Sequence, residues 1–243
     1  MDLSLPFARP YRVRFDEAGA DGRARPSALV RYLQDLAWQH STAAGLDRAW
    51  YEDRGLGWLV RGLELELCGG AWYGETLDVT TRITGWRRMW CRRVTTVAGA
   101  DGTPVAQAAI DWVLLDARGR PVRIPAELES FAPHVETFTP VRIDLPEAGP
   151  DVIRVAASVR ASDVDPMGHL NNAAYVDLVA EAMAAAGWAV GAGWALRLEY
   201  LLPALPGMEL ELTAWPHGAS FAIRIRELGG STDLLRARAD RTA

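Results

Sequence analysis

Pro26-Ser-Ala-Leu-Val-Arg-Tyr-Leu-Gln-Asp-Leu-Ala-Trp-Gln-His40 has a second version later in the chain, Asn172-Ala-Ala-Tyr-Val-Asp-Leu-Val-Ala-Glu-Ala-Met-Ala-Ala-Ala186. In the first, Leu29, Tyr32, Leu33, Leu36, Ala37 and His40 follow the spacing of one amphipathic helix face. A shift of 146 residues carries them onto Tyr175, Leu178, Val179, Ala182, Met183 and Ala186, so five of the six pairs are apolar in both. The same shift lays Val13-Arg14 on Val159-Arg160, Gly22 on Gly168, Val30 on Val176 and Asp35 on Glu181. Pro26-Ser27 and Asn171-Asn172 are helix entry signals, and Gly45 and Gly187 are stops, which predicts two helices of about four turns.

Beyond each helix the period changes to two. Trp58 to Leu67, Thr76 to Ile83 and Met208 to Ala214 alternate apolar and polar residues and read as strands. Further strands are expected near 88–98 and 104–115, turned at Gly99-Ala-Asp-Gly102, and near 219–228 and 232–240, turned at Gly229-Gly230. Each half therefore runs strand, long helix, then four antiparallel strands, an α+β arrangement with the helix packed on a sheet. Six prolines between residues 117 and 150 cannot donate to a ladder, and this stretch reads as the linker. The expected organisation is residues 1–116, a linker over 117–150, and residues 151–243. The halves are expected to pair into one continuous sheet with both helices on one side, since either alone would expose an edge strand.

Composition excludes several classes. The chain has 243 residues, 49% hydrophobic and 23% charged, without low-complexity bias, as in an ordinary globular protein. Its apolar stretches are broken before the ~18–20 residues of a membrane span, and Met1 to Phe15 lacks the pattern of a signal peptide, so a cytoplasmic location is expected. A net charge of −5 argues against nucleic acid as a partner. Cys68 and Cys91 lack metal-ligand spacing and read as two reduced core residues. His40, on the apolar helix face, reads as a hydrogen-bonded core histidine, and Trp38, Trp58 and Trp72 read first as core. No metal-ligand, P-loop or dinucleotide pattern is present, and no cofactor is expected.

The segment Asp163-Val-Asp-Pro-Met-Gly-His-Leu-Asn-Asn-Ala-Ala-Tyr175 resembles the active-site segment of hotdog thioesterases. Arg31 to Gly45, the strand from Gly57-Trp58, Trp86-Arg-Arg88 and Arg123-Ile-Pro-Ala-Glu127 are similar to the N-terminal hotdog of the acyl-ACP thioesterases. The resemblance covers nearly the whole chain and implies a tandem hotdog, each half a long helix on a curled antiparallel sheet. It also implies hydrolysis of an acyl-ACP or acyl-CoA thioester to a free acid and a thiol carrier. Two positions depart from the family pattern. Met167 stands where the family has an asparagine, and Pro203, followed by Ala204, stands about where it has a glutamate. The Asp-x-Asp-Pro-x-Gly run is closer to the 4-hydroxybenzoyl-CoA thioesterase group.

Thioester hydrolysis needs a carboxylate or an activated water, with donors for the developing oxyanion. Asp165 supplies the carboxylate, as nucleophile or base, and His169 can orient the reactants or assist the leaving thiolate. The helix start nearby offers free N–H groups for the carbonyl oxygen. One of Asn171 and Asn172 caps that helix and the other reaches toward the substrate; Asn171 is grouped with the catalytic pair, and Asn172, Trp58 and Arg88 with substrate binding. The structural alternative is that Asp165, His169 and the asparagines are turn and cap residues only. Strand alternation does not separate Asp163 from Asp165; the resemblance points to Asp165. Gly19, Arg23 and Arg25 occupy the positions of Asp165, His169 and Asn171 in the first half, so one site per chain is expected.

Trp86-Arg-Arg-Met-Trp-Cys-Arg-Arg93 is either a patch for an acidic carrier protein or CoA phosphates, or a strand with a solvated arginine face and inward tryptophans. Two other functions compete. A hotdog dehydratase would need an H-x-x-x-G-x-x-x-x-P segment, which is absent, and a non-catalytic acyl-thioester binder would account for Met167 and Pro203. A homodimer is one assembly open to the chain, and the oligomeric state is not legible in its text.

Overall fold

The computed structural model describes residues 1–242. The first half runs β1 (Phe7–Arg12), a 3-10 turn (Phe15–Glu17), α1 (Pro26–Ala43), α2 (Arg48–Arg54), β2 (Leu56–Leu67), β3 (Thr76–Arg87), β4 (Trp90–Gly99) and β5 (Pro104–Asp116). A short helix, α3 (Ala126–Glu129), follows. The second half repeats the order with β6 (Ile153–Ser158), a 3-10 turn (Ala161–Asp163), α4 (Asn172–Ala185), β7 (Trp194–Tyr200), β8 (Glu209–His217), β9 (Ser220–Glu227) and β10 (Asp233–Arg241). The ten strands form one antiparallel sheet in the order β1-β3-β4-β5-β2-β7-β10-β9-β8-β6, two five-stranded copies joined through β2 and β7. This is the expected tandem hotdog. Among the described residues no helix is long and apolar enough to cross a membrane.

The 146-residue shift holds from β1 through the helix: both 3-10 turns, and the bridges Ala18–Ala24 and Val164–Leu170, superpose. After the helix the shift falls to 133. Thus Ala24 N–H donates to Ala71 and Leu170 N–H to Ala204, while Phe7 faces Thr81 and Ile153 faces Ala214. The extra residues of the first half include α2, which the sequence reading missed. Its signals are local: Asp47 caps it by accepting from Trp50 N–H at 2.9 Å, and Gly55 ends it at φ 58°.

Both long helices lie on one face of the sheet, and one continuous core spans the halves, with Leu33, Leu36, Leu63 and Leu65 from the first and Val179, Met183, Leu196 and Leu198 from the second. The helices touch, and Arg31 reaches Asp177 across the junction at 3.3 Å. A smaller core gathers Leu3, Leu46, Tyr51, Cys91, Leu114, Ile124 and Leu128 at one end of the first half. Cys91 is buried as expected, but Cys68 is exposed because it follows the last residue of β2. Trp38 and Trp72, expected in the core, are 46% and 49% exposed.

The proline-rich stretch after β5 is more than a connection. It closes the smaller core with Ile124, Leu128 and Ala132, then crosses the outer face of the sheet and buries Val141 and Ile143. Asp111 accepts from Val141 N–H at 2.8 Å, and Glu199 accepts from Ile143 N–H at 2.9 Å. Gly62 pairs with both Asp111 and Glu199, and the strap runs directly over it. A Cβ on Gly62 would stand 2.8 Å from Val141 Cβ. The strap thus straddles the seam between the halves, using two buried carboxylates where its prolines leave no ladder to join.

Candidate active site

The residues from Asp163 to Asn172 form a closed loop between the 3-10 turn and α4. Asp165 N–H donates to the His169 carbonyl at 2.9 Å, and Gly168 N–H to the Asp165 carbonyl at 2.9 Å. Gly168 takes φ 85°, a conformation that favours glycine, so the reversal is tight and sets Asp165 and His169 opposite each other across the turn. Val164 bridges Leu170, and Asn171 N–H donates to the Asp163 carbonyl, which leads the chain directly into α4. The first half builds the same turn with Gly19, Gly22 and Arg23, so its geometry belongs to the fold and only the second half places a carboxylate–histidine pair on it.

Asp165 Oδ1 accepts from Met167 N–H at 2.8 Å and lies 3.8 Å from His169 Nδ1. That separation exceeds a hydrogen bond. Among the described residues Asp165 Oδ2 has no partner, and both side chains are mostly but not wholly buried, at 15% and 22% exposure. Asp163, the near competitor, is committed elsewhere: its Oδ2 accepts from Arg160 Nε at 2.6 Å. The two asparagines have different partners, one in its own helix and one in the first half of the chain. Asn171 is the N-cap, its Oδ1 accepting from Ala173 N–H at 2.9 Å, and Asn172 Nδ2 donates to Gln34 Oε1 of α1 at 3.3 Å. Among the described residues Asn172 N–H, in the first turn of α4, has no hydrogen-bond partner.

Gln34 is the residue sequence reasoning missed. It brings the first half to the edge of the site, and its only signal was a polar residue flanking the apolar helix face. Tyr175 and Tyr200 were also unread as polar. Tyr175 OH accepts from Ala204 N–H at 3.1 Å, and Tyr200 OH donates to the Asn172 carbonyl at 3.1 Å, bracing loop and helix start from beneath. Pro203 is exposed and Ala204 fully buried, so no carboxylate stands at the family glutamate position; Met167 is 59% exposed.

Trp58 and Arg88 are not brought to this loop. Trp58 donates to Tyr51 OH at 3.0 Å and stacks on Trp86 in the smaller core. Arg88 is exposed in the β3–β4 turn at φ 57°. The arginine cluster around it also divides. Arg92 is held by Asp111 at 2.7 and 2.9 Å, and Arg93 points into the interior, so neither is a surface charge. Trp86 turns inward, whereas Trp90 lies under Arg142. Strand alternation, with a bulge between Ile83 and Gly85, sends neighbouring arginines to opposite faces.

A tandem hotdog with one carboxylate–histidine loop at a helix start defines the class. The family model of the acyl-ACP thioesterase N-terminal domain matches residues 4–131, and that of the C-terminal domain matches residues 151–220. The chain belongs to the acyl-ACP thioesterase family. It is 27% identical over 193 residues to the chloroplastic acyl-[acyl-carrier-protein] hydrolase FATB2 of Cuphea viscosissima, covering 73% of this chain and 47% of that protein. It thus spans about half the length of the curated relatives it matches. A Lactobacillus plantarum protein ascribed oleoyl thioesterase activity superposes with TM-score 0.85 at 20% identity, covering 99% of this chain and 98% of that one. The 12:0-ACP thioesterase of Umbellularia californica gives TM-score 0.76 at 22% identity, covering 97% and 96%. At these identities the structural likeness concerns the fold.

Proposed function

We propose that the chain hydrolyses acyl thioesters of acyl carrier protein, releasing a free fatty acid and the carrier thiol. The observation that carries this reading is the Asp165–His169 pair facing across a tight turn at the start of α4, whose Asn172 N–H has no partner among the described residues, in a chain of this family. The thioester carbonyl oxygen is placed against that N–H, where negative charge develops as the tetrahedral intermediate forms. Asp165 either takes the proton of the attacking water or attacks the carbonyl carbon itself. On the first route His169 orients the water and relays the proton held by Asp165 to the departing thiolate as the C–S bond breaks. On the second the thiolate leaves first, a water then cleaves the acyl–Asp165 anhydride to the free acid, and His169 passes the proton that water releases to the thiolate. Asn171 serves by holding the helix start rather than by touching substrate.

Thiol release from matched acyl-ACP and acyl-CoA thioesters tests the reading. Turnover of acyl-ACP supports it, and turnover of acyl-CoA alone replaces the carrier. Binding without release would favour a non-catalytic acyl-thioester protein. Asp165→Asn is expected to lower the rate by ~10²-fold or more in a folded protein, and an unchanged rate would remove Asp165 from the mechanism. The cytoplasmic location expected from the sequence is part of the same proposal, and cell fractionation checks it.

A further inference from the structure

The interior of the first half holds a cation that neither its fold nor the proposed hydrolysis uses. Arg93, on the inner face of β4, is 5% exposed, yet among the described residues its guanidinium has one hydrogen-bond partner and no carboxylate. That partner is His40 of α1, with Arg93 Nη1 2.9 Å from His40 Nδ1. His40 is itself 1% exposed and stacks on Phe7 at 4.7 Å. Burial, reinforced by the arginine charge, holds the imidazole neutral, so Nδ1 accepts from the guanidinium. Two further buried polar groups continue the stripe: Thr95 Oγ1 donates to Thr81 Oγ1 at 2.8 Å. A guanidinium carries five N–H donors, and a buried one without an anion is costly to maintain.

The second half shows that the fold does not demand these groups. The helix shift places Ala186 at the position of His40. The strand registers place Ala214 and Ile223 where Thr81 and Thr95 pair, and Phe221 where Arg93 faces Ile83. All four counterparts are apolar. The two halves therefore differ in both places: the second has carboxylate and histidine on the loop over apolar side chains, and the first has Gly19 and Arg23 on the loop and four polar side chains set into its apolar interior.

We propose that Arg93, with His40 and the Thr81–Thr95 pair, recognises a hydrogen-bond-accepting oxygen on the acyl chain of the substrate, such as a hydroxyl, keto or carboxylate group. This rests on the proposed thioester chemistry. Helix α1 supplies the ruler: Gln34 touches Asn172 beside the Asp165 loop, and His40 lies six residues further, roughly 9 Å along the axis. An acyl chain running from the loop beside α1 reaches the pair at a carbon remote from the thioester. The Phe7 ring that stacks on His40 also lines an open groove of about 410 Å³, together with Arg9, Trp38, Gln39, Thr42 and Ala43.

The test is calorimetric binding of acyl-pantetheine amides, in which an amide replaces the thioester and hydrolysis plays no part. Unsubstituted, hydroxy-, oxo- and ω-carboxy-acyl chains of equal length are compared on the wild type and on Arg93→Met. The wild type is expected to bind at least one oxygenated chain about 10-fold more tightly than the unsubstituted one, the effect of one charge-assisted hydrogen bond, and Arg93→Met to bring that ratio toward one. Equal binding of all chains by the wild type overturns the proposal without recourse to any variant. So does discrimination that survives in Arg93→Met. A protein that discriminates among the amides yet releases no thiol from any thioester supports the oxygen site and removes the hydrolase reading.

Discussion

His40→Gln is informative because His40 is buried neutral. Burial and then the Arg93 charge push its pKa down to about 4, whereas in the unfolded chain it takes up a proton near ~6.5. Between those values the unfolded state binds the extra proton. The contribution of a neutral His40 is therefore complete above about pH 6.5 and declines as pH falls toward 4, by on the order of 3 kcal/mol. Urea denaturation of wild type and His40→Gln is expected to show a stability gap at pH 7 that narrows at pH 4.5; a constant gap would mean that His40 does not titrate as described. In the loop, His169→Ala is expected to cost less activity than Asp165→Asn, since a thiolate leaves readily without a proton donor and the main loss is in orienting the water. Asp163→Asn is expected to change turnover little, because its carboxylate is taken by Arg160. Met167→Asn, restoring the family residue, should raise activity if its absence limits the rate, and steady-state thiol release reads all three.

At the scale of elements, the strap over the outer face makes the sharpest demand. Asp111 is fully buried and serves both Arg92 and Val141 N–H, so Asp111→Ala leaves that backbone donor unpaired and Arg92 with only Glu64 at 3.5 Å and the Thr139 carbonyl at 3.3 Å. A loss of ~1–3 kcal/mol is expected. Gly62→Ala acts from beneath by forcing Val141 off the seam, at about 1–3 kcal/mol. Both variants should lower the urea midpoint and speed amide exchange at Val141 and Ile143; exchange unchanged from wild type would show that the strap is held elsewhere. Much of the element plan was legible from period and turn chemistry. The strap was not, because its buried contacts are made by scattered apolar residues and backbone N–H groups that carry no period.

For the whole molecule, the seam sets cooperativity. Leu63 faces Leu198 and Leu65 faces Leu196 across β2 and β7, all four almost wholly buried in a core common to the two halves. Leu198→Ala is expected to cost ~2–5 kcal/mol. Because the halves share that core, urea unfolding followed by tryptophan fluorescence and by far-ultraviolet circular dichroism should remain one coincident transition in wild type and variant. Two separated transitions would show the halves to be independent. The divergence between halves also belongs to this scale, since a single chain can keep the reactive loop in one copy and change the interior of the other.

Periodicity determined the repeat, the long helices, most of the strands and the turn carrying Asp165 and His169, since these depend on neighbours a few residues away. The offset within the repeat also placed glycine and arginine at the corresponding loop positions of the first half. Tertiary structure alone decided which of Asp163 and Asp165 is left free, that Gln34 meets Asn172, that Arg92 and Arg93 face opposite ways, and that a proline-rich connection seals the sheet. Each of these turns on contacts between residues far apart in sequence, whose direction follows from register and bulges. A charged residue on a strand reads alike whether it faces water or a buried imidazole; only the packed sheet distinguishes the two.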